Sequence, residues 1–175
     1  MMMRKEWTHL LEGADRARAE KLATAVMDVS EFLWSIRNEP RFDGSFASSP
    51  PGGKVAYHAP CHLRAQAVGF KGRDLIRKIP GVTVSATVME CCGHDGTYAM
   101  KTETYESSIR IGKKSFAGMR EADATTWVTD CPLAATQFEQ HAGKKALHPM
   151  TALARAYRED GFAERLPLRD DQPTE

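Results

Sequence analysis

No run in this 175-residue chain approaches the roughly 20 consecutive apolar residues that a membrane-spanning helix needs. The opening, MMMRKEWTHLLEG, has neither an apolar centre nor a small-residue cleavage site, so it does not read as a secretory signal. An excess of one charge is missing too. The 24 Lys and Arg are balanced by 23 Asp and Glu, for a net charge of +1, and nothing there favours nucleic acid or an acidic surface. No internal repeat, phosphate-cradling glycine loop or nucleophile–base pair is visible. Cysteine is scarce, with four in the chain, and no two of them stand in C-x2-C spacing. These absences lead us to expect a soluble globular chain in the cytoplasm. Thiols stay reduced there, and cysteines read as metal or catalytic groups.

What is present falls into two styles. In the first forty residues Leu22, Val26, Val29, Leu33 and Ile36 recur at steps of four and three, one face of a helix that Pro40 would end. We therefore expect a helical N-terminal arm over 1–42. The stretch DGSFASSPPGG follows and reads as a linker over 43–53. From Lys54 on, β-prone runs alternate with helical ones: VAYHA, GVTVSATVM, TTWVTD and a short KALH, each followed by a helical stretch. That alternation predicts an α/β domain over 54–162 with a mainly parallel sheet and flanking helices, and a polar tail over 163–175.

Each cysteine then takes the same structural place. Cys61 follows the first strand, Cys91 and Cys92 the second, and Cys131 the third. Parallel strands end at one edge, where open α/β sheets bind ligands, so four sulfurs are delivered to one crevice. Pro132 and Pro149 suit first helical positions, so helix N-termini should face that edge. Gly93 and Gly96 would let the backbone approach a bound group. Four readings remain open at this level. They are an iron–sulfur cluster, a structural zinc ion, a redox thiol pair and simple buried cysteines. The adjacent pair Cys91–Cys92 suits several irons better than one small ion.

The segments HAPCHLRAQ, ECCGHDGT and TDCPLAATQFEQ resemble the CCG, or cysteine-rich, domain family. The family occurs in heterodisulfide reductase, glycolate oxidase, lactate-utilisation proteins and anaerobic glycerol-3-phosphate dehydrogenase. The likeness runs from about Val55 to Tyr157 and is best to the iron–sulfur subunit of the last of these. It implies an iron–sulfur cluster, in some members non-cubane, held here by Cys61, Cys91, Cys92 and Cys131; four protein sulfurs suit the cubane 4Fe-4S kind, with zinc as the alternative from the residues alone. It further implies an electron-transfer piece of a multi-subunit oxidoreductase rather than a free-standing catalyst, passing electrons from a flavin-containing dehydrogenase subunit towards quinone. Reduction of a disulfide at the cluster, in the manner of heterodisulfide reductase, is the alternative activity.

The family motif ends in C-x-x-C, and here Ala134 replaces the last cysteine, which argues against a non-cubane, five-cysteine cluster. Residue 134 is expected on the pocket face of its helix, opening space beside the cluster. MMMRKEW and DVSEFLW resemble the connector between two CCG halves. The chain is thus expected to be a second half alone. A separate chain would carry the first half and ferredoxin clusters, in the cytoplasm or peripheral to the inner membrane.

Among other polar residues, His58, His62, His94 and His148 fall near strand ends, and His94 or His148 is a candidate extra ligand. A histidine hydrogen-bonded to backbone or sulfur is the plainer expectation. Arg64 and Lys101 would offset cluster charge or simply face solvent, and Asp95 and Asp130 would cap loops. His9 and His141 are expected on the surface, and Trp7, Trp34 and Trp127 in packing roles.

Overall fold

The computed structural model describes residues 2–163. A π-helical turn, Met2–Glu6, runs into α1, Trp7–Leu10, followed by α2, Gly13–Ala25, and α3, Val29–Ser35. The alternating part comprises β1, Lys54–His58; α4, Cys61–Ala65; α5, Lys71–Ile76; β2, Thr83–Val88; α6, Thr102–Glu121; β3, Thr126–Thr129; α7, Pro132–Ala142; and α8, Pro149–Ala156. The tail expected over 163–175 lies, apart from Ala163, outside the described residues.

The three strands form a parallel sheet in the order β2-β1-β3. The short KALH run contributes one further rung. The Leu147 N–H donates to Trp127 O at 2.8 Å, and the Thr129 N–H donates to Leu147 O at 2.9 Å. Side chains alternate across a strand, so β1 feeds two cores. Val55 and Tyr57 point to one face, where Leu75, Ile76 and Ile79 around α5 and Leu153 of α8 cover them with Val128. Ala56 points to the other, where Phe116 and Met119 of α6 and Phe138 of α7 pack around Trp127. The result is the three-layer α/β arrangement that the alternation predicts.

The arm departs from expectation. One helix from Leu22 to Ile36 is broken over Val26–Asp28, because Asp28 takes an extended backbone and its carboxylate accepts the Ser30 N–H at 2.8 Å. A side chain that caps a new helix competes with continuing the old one. The five apolar positions are thereby divided. Ile36 is buried and Leu33 packs on the core with Trp34, while Leu22 and Val29 are exposed. Ala19 is the one buried residue of α2. The Arg4–Glu31 ion pair at 2.6 Å closes the arm on itself, and Lys5 Nζ, donating to Ala65 O at 3.0 Å, ties it to α4. The Gly- and Ser-rich stretch runs along α8, where the Ala47 and Ser48 N–H groups both donate to Ala156 O.

Candidate functional site

The sheet order places a switch point between β1 and β3, since the chain leaves β1 towards β2 on one side and β3 lies on the other. Ligands of open α/β folds sit outside the strand ends at such a point. A pocket of about 480 Å³ lies there, lined by Cys61, Cys91, Cys92 and Cys131 together with His58, His62 and His94. Tyr98, Ile111 and Leu133 add an apolar flank. Among the described residues no three His, Cys, Asp or Glu side chains converge tightly enough to hold a single metal ion. All four sulfur-bearing side chains instead line one shared space of that volume. That donor set fits a multi-iron cluster, in which each thiolate takes a different iron, better than one tetrahedral zinc.

Each sulfur reaches the pocket by a different local device. Cys131 is the N-cap residue of α7, and its sulfur accepts the Ala134 N–H at 3.5 Å. Pro132 then fills the first helical position, which needs no N–H. Cys61 is the first residue of α4 and is exposed. Cys91 accepts the Gly93 N–H at 3.3 Å. Burial raises the Cys92 thiol to about 11, and the neighbouring sulfurs of Cys131, Cys91 and Cys61 push in the same direction. A thiolate is the ligand form, so loading a metal here must displace a proton.

The CCG loop is docked closely on α6. A Cβ on Gly93 would sit 2.1 Å from Ser108 O, and one on Gly112 would sit 2.7 Å from Cys92 O. Gly93 also has φ +84°, a left-handed conformation. The glycine thus serves contact with a helix, and both it and Gly96 also line the pocket. Ser108 Oγ donates to Gly93 O at 2.8 Å, and Gln137 Nε2 donates to Ser108 Oγ at 3.0 Å, which ties the loop to α7 as well.

The histidines separate cleanly. His58 is buried, and burial lowers its pKa to about 4, so the ring is neutral. Its Nε2 lies 3.0 Å from Glu90 O and its Nδ1 lies 2.9 Å from Thr129 Oγ1. A carbonyl only accepts, so Nε2 carries the proton and Nδ1 accepts from the threonine hydroxyl. Neither nitrogen is free for a metal. His94 is also buried, and its Nδ1 has no hydrogen-bond partner. His148 does not line the pocket; its Nδ1 accepts the Met150 N–H at 3.2 Å and caps α8. His141 is half-buried, its ring against Tyr105 and Phe116, rather than on the surface.

Other expectations move too. Ala134 is fully buried in the core beside Phe138 and does not line the pocket, so no space opens there. Its helical position faces the sheet because Cys131, as the cap, sits outside the helix proper. Arg64 and Lys101 are exposed and do not line the pocket. Asp130 is buried and accepts the Tyr57 hydroxyl; burial raises its pKa. Sequence reasoning overlooks Thr129 and the Glu90 carbonyl. The signal for Thr129 is register, since His58 and Thr129 are direct partners on adjacent strands.

Comparison with known proteins adds the kinship. Residues 55–139 match the model of the cysteine-rich domain, CCG. One of the subunits of anaerobic glycerol-3-phosphate dehydrogenase from Escherichia coli is 38% identical over 103 residues, 59% of this chain and 26% of that protein. One of the subunits of the fumarate reductase (CoM/CoB) from Methanothermobacter marburgensis is 30% identical over 125 residues, 70% of this chain and 24% of that protein. An uncharacterized iron–sulfur protein from Methanocaldococcus jannaschii is 26% identical over 108 residues, 61% of this chain and 20% of that protein. The chain therefore spans about a quarter of the length of the first curated relatives it matches. No solved structure matches it. Among the described residues no helix is long and apolar enough to cross a membrane. Strand–helix alternation, cysteines at three successive strand ends and the family match agree: through residues 55–139 the chain belongs to the cysteine-rich, or CCG, domain family.

Proposed function

We propose that this chain is an electron-transfer piece of a multi-subunit oxidoreductase, holding an iron–sulfur cluster through Cys61, Cys91, Cys92 and Cys131. The observation that carries the reading is that all four cysteines line one pocket at the carboxyl edge of the sheet. When bound, such a cluster takes up and releases single electrons at a potential set by its surroundings. The chain's own part is to fix the thiolates and shape that potential. The Gly93 and Ala134 N–H groups donate to two of the sulfurs. Hydrogen bonds of this kind stabilise the anionic form and raise the potential. His94, with its free Nδ1, is the side chain placed to add a further donor or ligand.

Four protein sulfurs match a cubane 4Fe-4S cluster. The likeness to the anaerobic glycerol-3-phosphate dehydrogenase subunit supports a place among the subunits of an oxidoreductase, and the reading extends to a flavin-containing subunit as electron donor and quinone as the direction of flow. The proposal includes a partner bearing a first half of the same kind. Leu22, Met27, Val29 and Phe32 leave apolar surface on the arm that such a partner would cover. Sedimentation should show self-association of the isolated chain that ends when a partner subunit is added.

The deciding experiment is anaerobic reconstitution followed by metal and sulfide analysis. Iron with acid-labile sulfide, and a visible absorption that bleaches on one-electron reduction, is the expected result. Zinc without sulfide, or no bound metal, would overturn the reading. Replacing His94 with leucine should shift the spectrum without releasing the iron.

A further inference from the structure

Three loops carry the four cysteines, and each loop leaves a different strand. What keeps them in register is a short chain of hydrogen bonds running across the strand ends. The Cys131 N–H donates to Thr129 Oγ1 at 3.4 Å. The Thr129 hydroxyl donates to His58 Nδ1 at 2.9 Å. His58 Nε2–H donates to Glu90 O at 3.0 Å, the residue immediately before Cys91. His58 itself ends β1, three residues before Cys61. One imidazole therefore touches or relays to all three cysteine-bearing loops.

We infer that His58 is the positioning residue of this site, a latch that joins the β1, β2 and β3 loops and presets the pocket before any cluster arrives. The inference rests on the cluster reading above for its consequence, though not for its geometry. Only a group with one acceptor and one donor on opposite sides fits the place. The Glu90 carbonyl cannot donate, and the threonine hydroxyl, already accepting from Cys131, has its proton to give. The ring is clamped edge-on by Phe138, with centroids 5.0 Å apart at 83°, so its orientation is fixed by the core. Thr129 is buried as well, so its bond to His58 does not compete with bulk water. Support of this kind, one shell out from the ligands, decides whether a metal site is held tightly or loosely.

The latch makes a distinction that a general packing role does not. His58→Gln keeps an amide oxygen to accept and an amide N–H to donate. His58→Phe keeps the aromatic contact with Phe138 and loses both bonds. Thr129→Ser keeps the hydroxyl, and Thr129→Val removes it at nearly constant shape. Two readouts are needed. In the metal-free chain, amide exchange of Ala59, Cys61, residues 90–93, Asp130 and Cys131 should quicken at least tenfold in His58→Phe and Thr129→Val, and stay within about twofold of wild type in His58→Gln and Thr129→Ser. In the reconstituted chain, the first two should lose iron to a chelator at least tenfold faster, and the second two should not.

Equal exchange in all four variants would overturn the latch whatever the wild type binds. A wild type that takes up no iron, with the exchange pattern as expected, would instead overturn the cluster reading and leave the latch standing. Should His58→Phe fail to fold, Thr129→Val tests the same relay alone. Fast exchange in His58→Gln equal to that in His58→Phe would also overturn the proposal, because the donor–acceptor pair would then not be what matters.

Discussion

The arm before residue 37 and the layered part after residue 53 both carry apolar residues at helical spacing, yet only one of them buries those residues. In the layered part, β1 is covered on both faces and α6 presents Phe116 and Met119 to the sheet. In the arm, α2 buries Ala19 and leaves Leu22 exposed, and α3 leaves Val29 and Phe32 exposed. Apolar periodicity creates a potential face, but a face becomes a core only where a second surface lies within reach. The sheet supplies that surface for α5 to α8. The arm reaches it at Leu33 and Trp34, where the chain turns back towards α5.

This contrast can be broken most forcefully at the pocket. Serine at any one of Cys61, Cys91, Cys92 or Cys131 should abolish or grossly reduce cluster absorption, because a hydroxyl is a poor replacement for a thiolate on iron. Alanine at Leu22, Val29 or Phe32 should leave the absorption of the reconstituted chain unchanged. Parallel iron and sulfide assays on both sets check this. Full absorption in Cys91→Ser would remove that residue from the ligand set.

Folding energy should divide the same way. Phe138 is fully buried, edge-on to His58, Phe116 and Trp127. Phe138→Ala should cost about 3–5 kcal/mol, measured as a loss in urea stability. Leu22→Ala, on an exposed site, should change stability by no more than about 0.5 kcal/mol. Comparable losses at the two positions would mean that the arm is packed by something the isolated chain provides, such as a second copy.

The same division explains what could be read from the sequence. The strand–helix alternation and the four strand-end cysteines were legible because period and position are local properties of the chain. The break at Asp28 was not, although the cap that marks it is local. An aspartate inside an apolar period can continue a helix facing solvent or start a new one, and the choice depends on where Leu33 and Ile36 must dock. Ala134 shows a further limit. Three-residue spacing from Cys131 suggests a shared face, but Cys131 lies outside the helix as its cap, so the spacing does not apply. His58 was visible as a strand-end histidine. That it bridges Thr129 and Glu90 requires the register between β1 and β3, which no single strand encodes.

Acid should act on the layered part before it acts on the arm. Burial lowers the folded-state pKa of His58 to about 4 from its ordinary 6.5. The unfolded chain therefore takes up this proton first as pH falls. The stability that the neutral ring contributes is complete above about pH 6.5 and is lost progressively towards pH 4. At one pKa unit per 1.36 kcal/mol the loss is about 3 kcal/mol. Urea midpoints across that window, compared with His58→Gln, isolate the term, since glutamine does not titrate. Parallel slopes in the two proteins would show that His58 is not the group responsible.

The smallest effect probes the arm's own break. Asp28 caps α3 through its carboxylate on the Ser30 N–H. Loss of such a cap costs about 1 kcal/mol in typical helices. Two circumstances reduce the figure here. The helix spans Val29–Ser35 and frays easily from either end, and the Asp28 charge also acts on the buried Asp130, adding to the burial that raises its pKa. Removing the charge relieves that repulsion. Asp28→Asn keeps a capping oxygen without the charge, so it should be neutral or slightly stabilising. Asp28→Ala loses the cap and should be destabilising by less than about 1 kcal/mol, with faster amide exchange confined to residues 30–36. If Asp28→Asn destabilises as much as Asp28→Ala, the cap is not what breaks the helix, and the docking of Leu33 and Ile36 alone must set the turn.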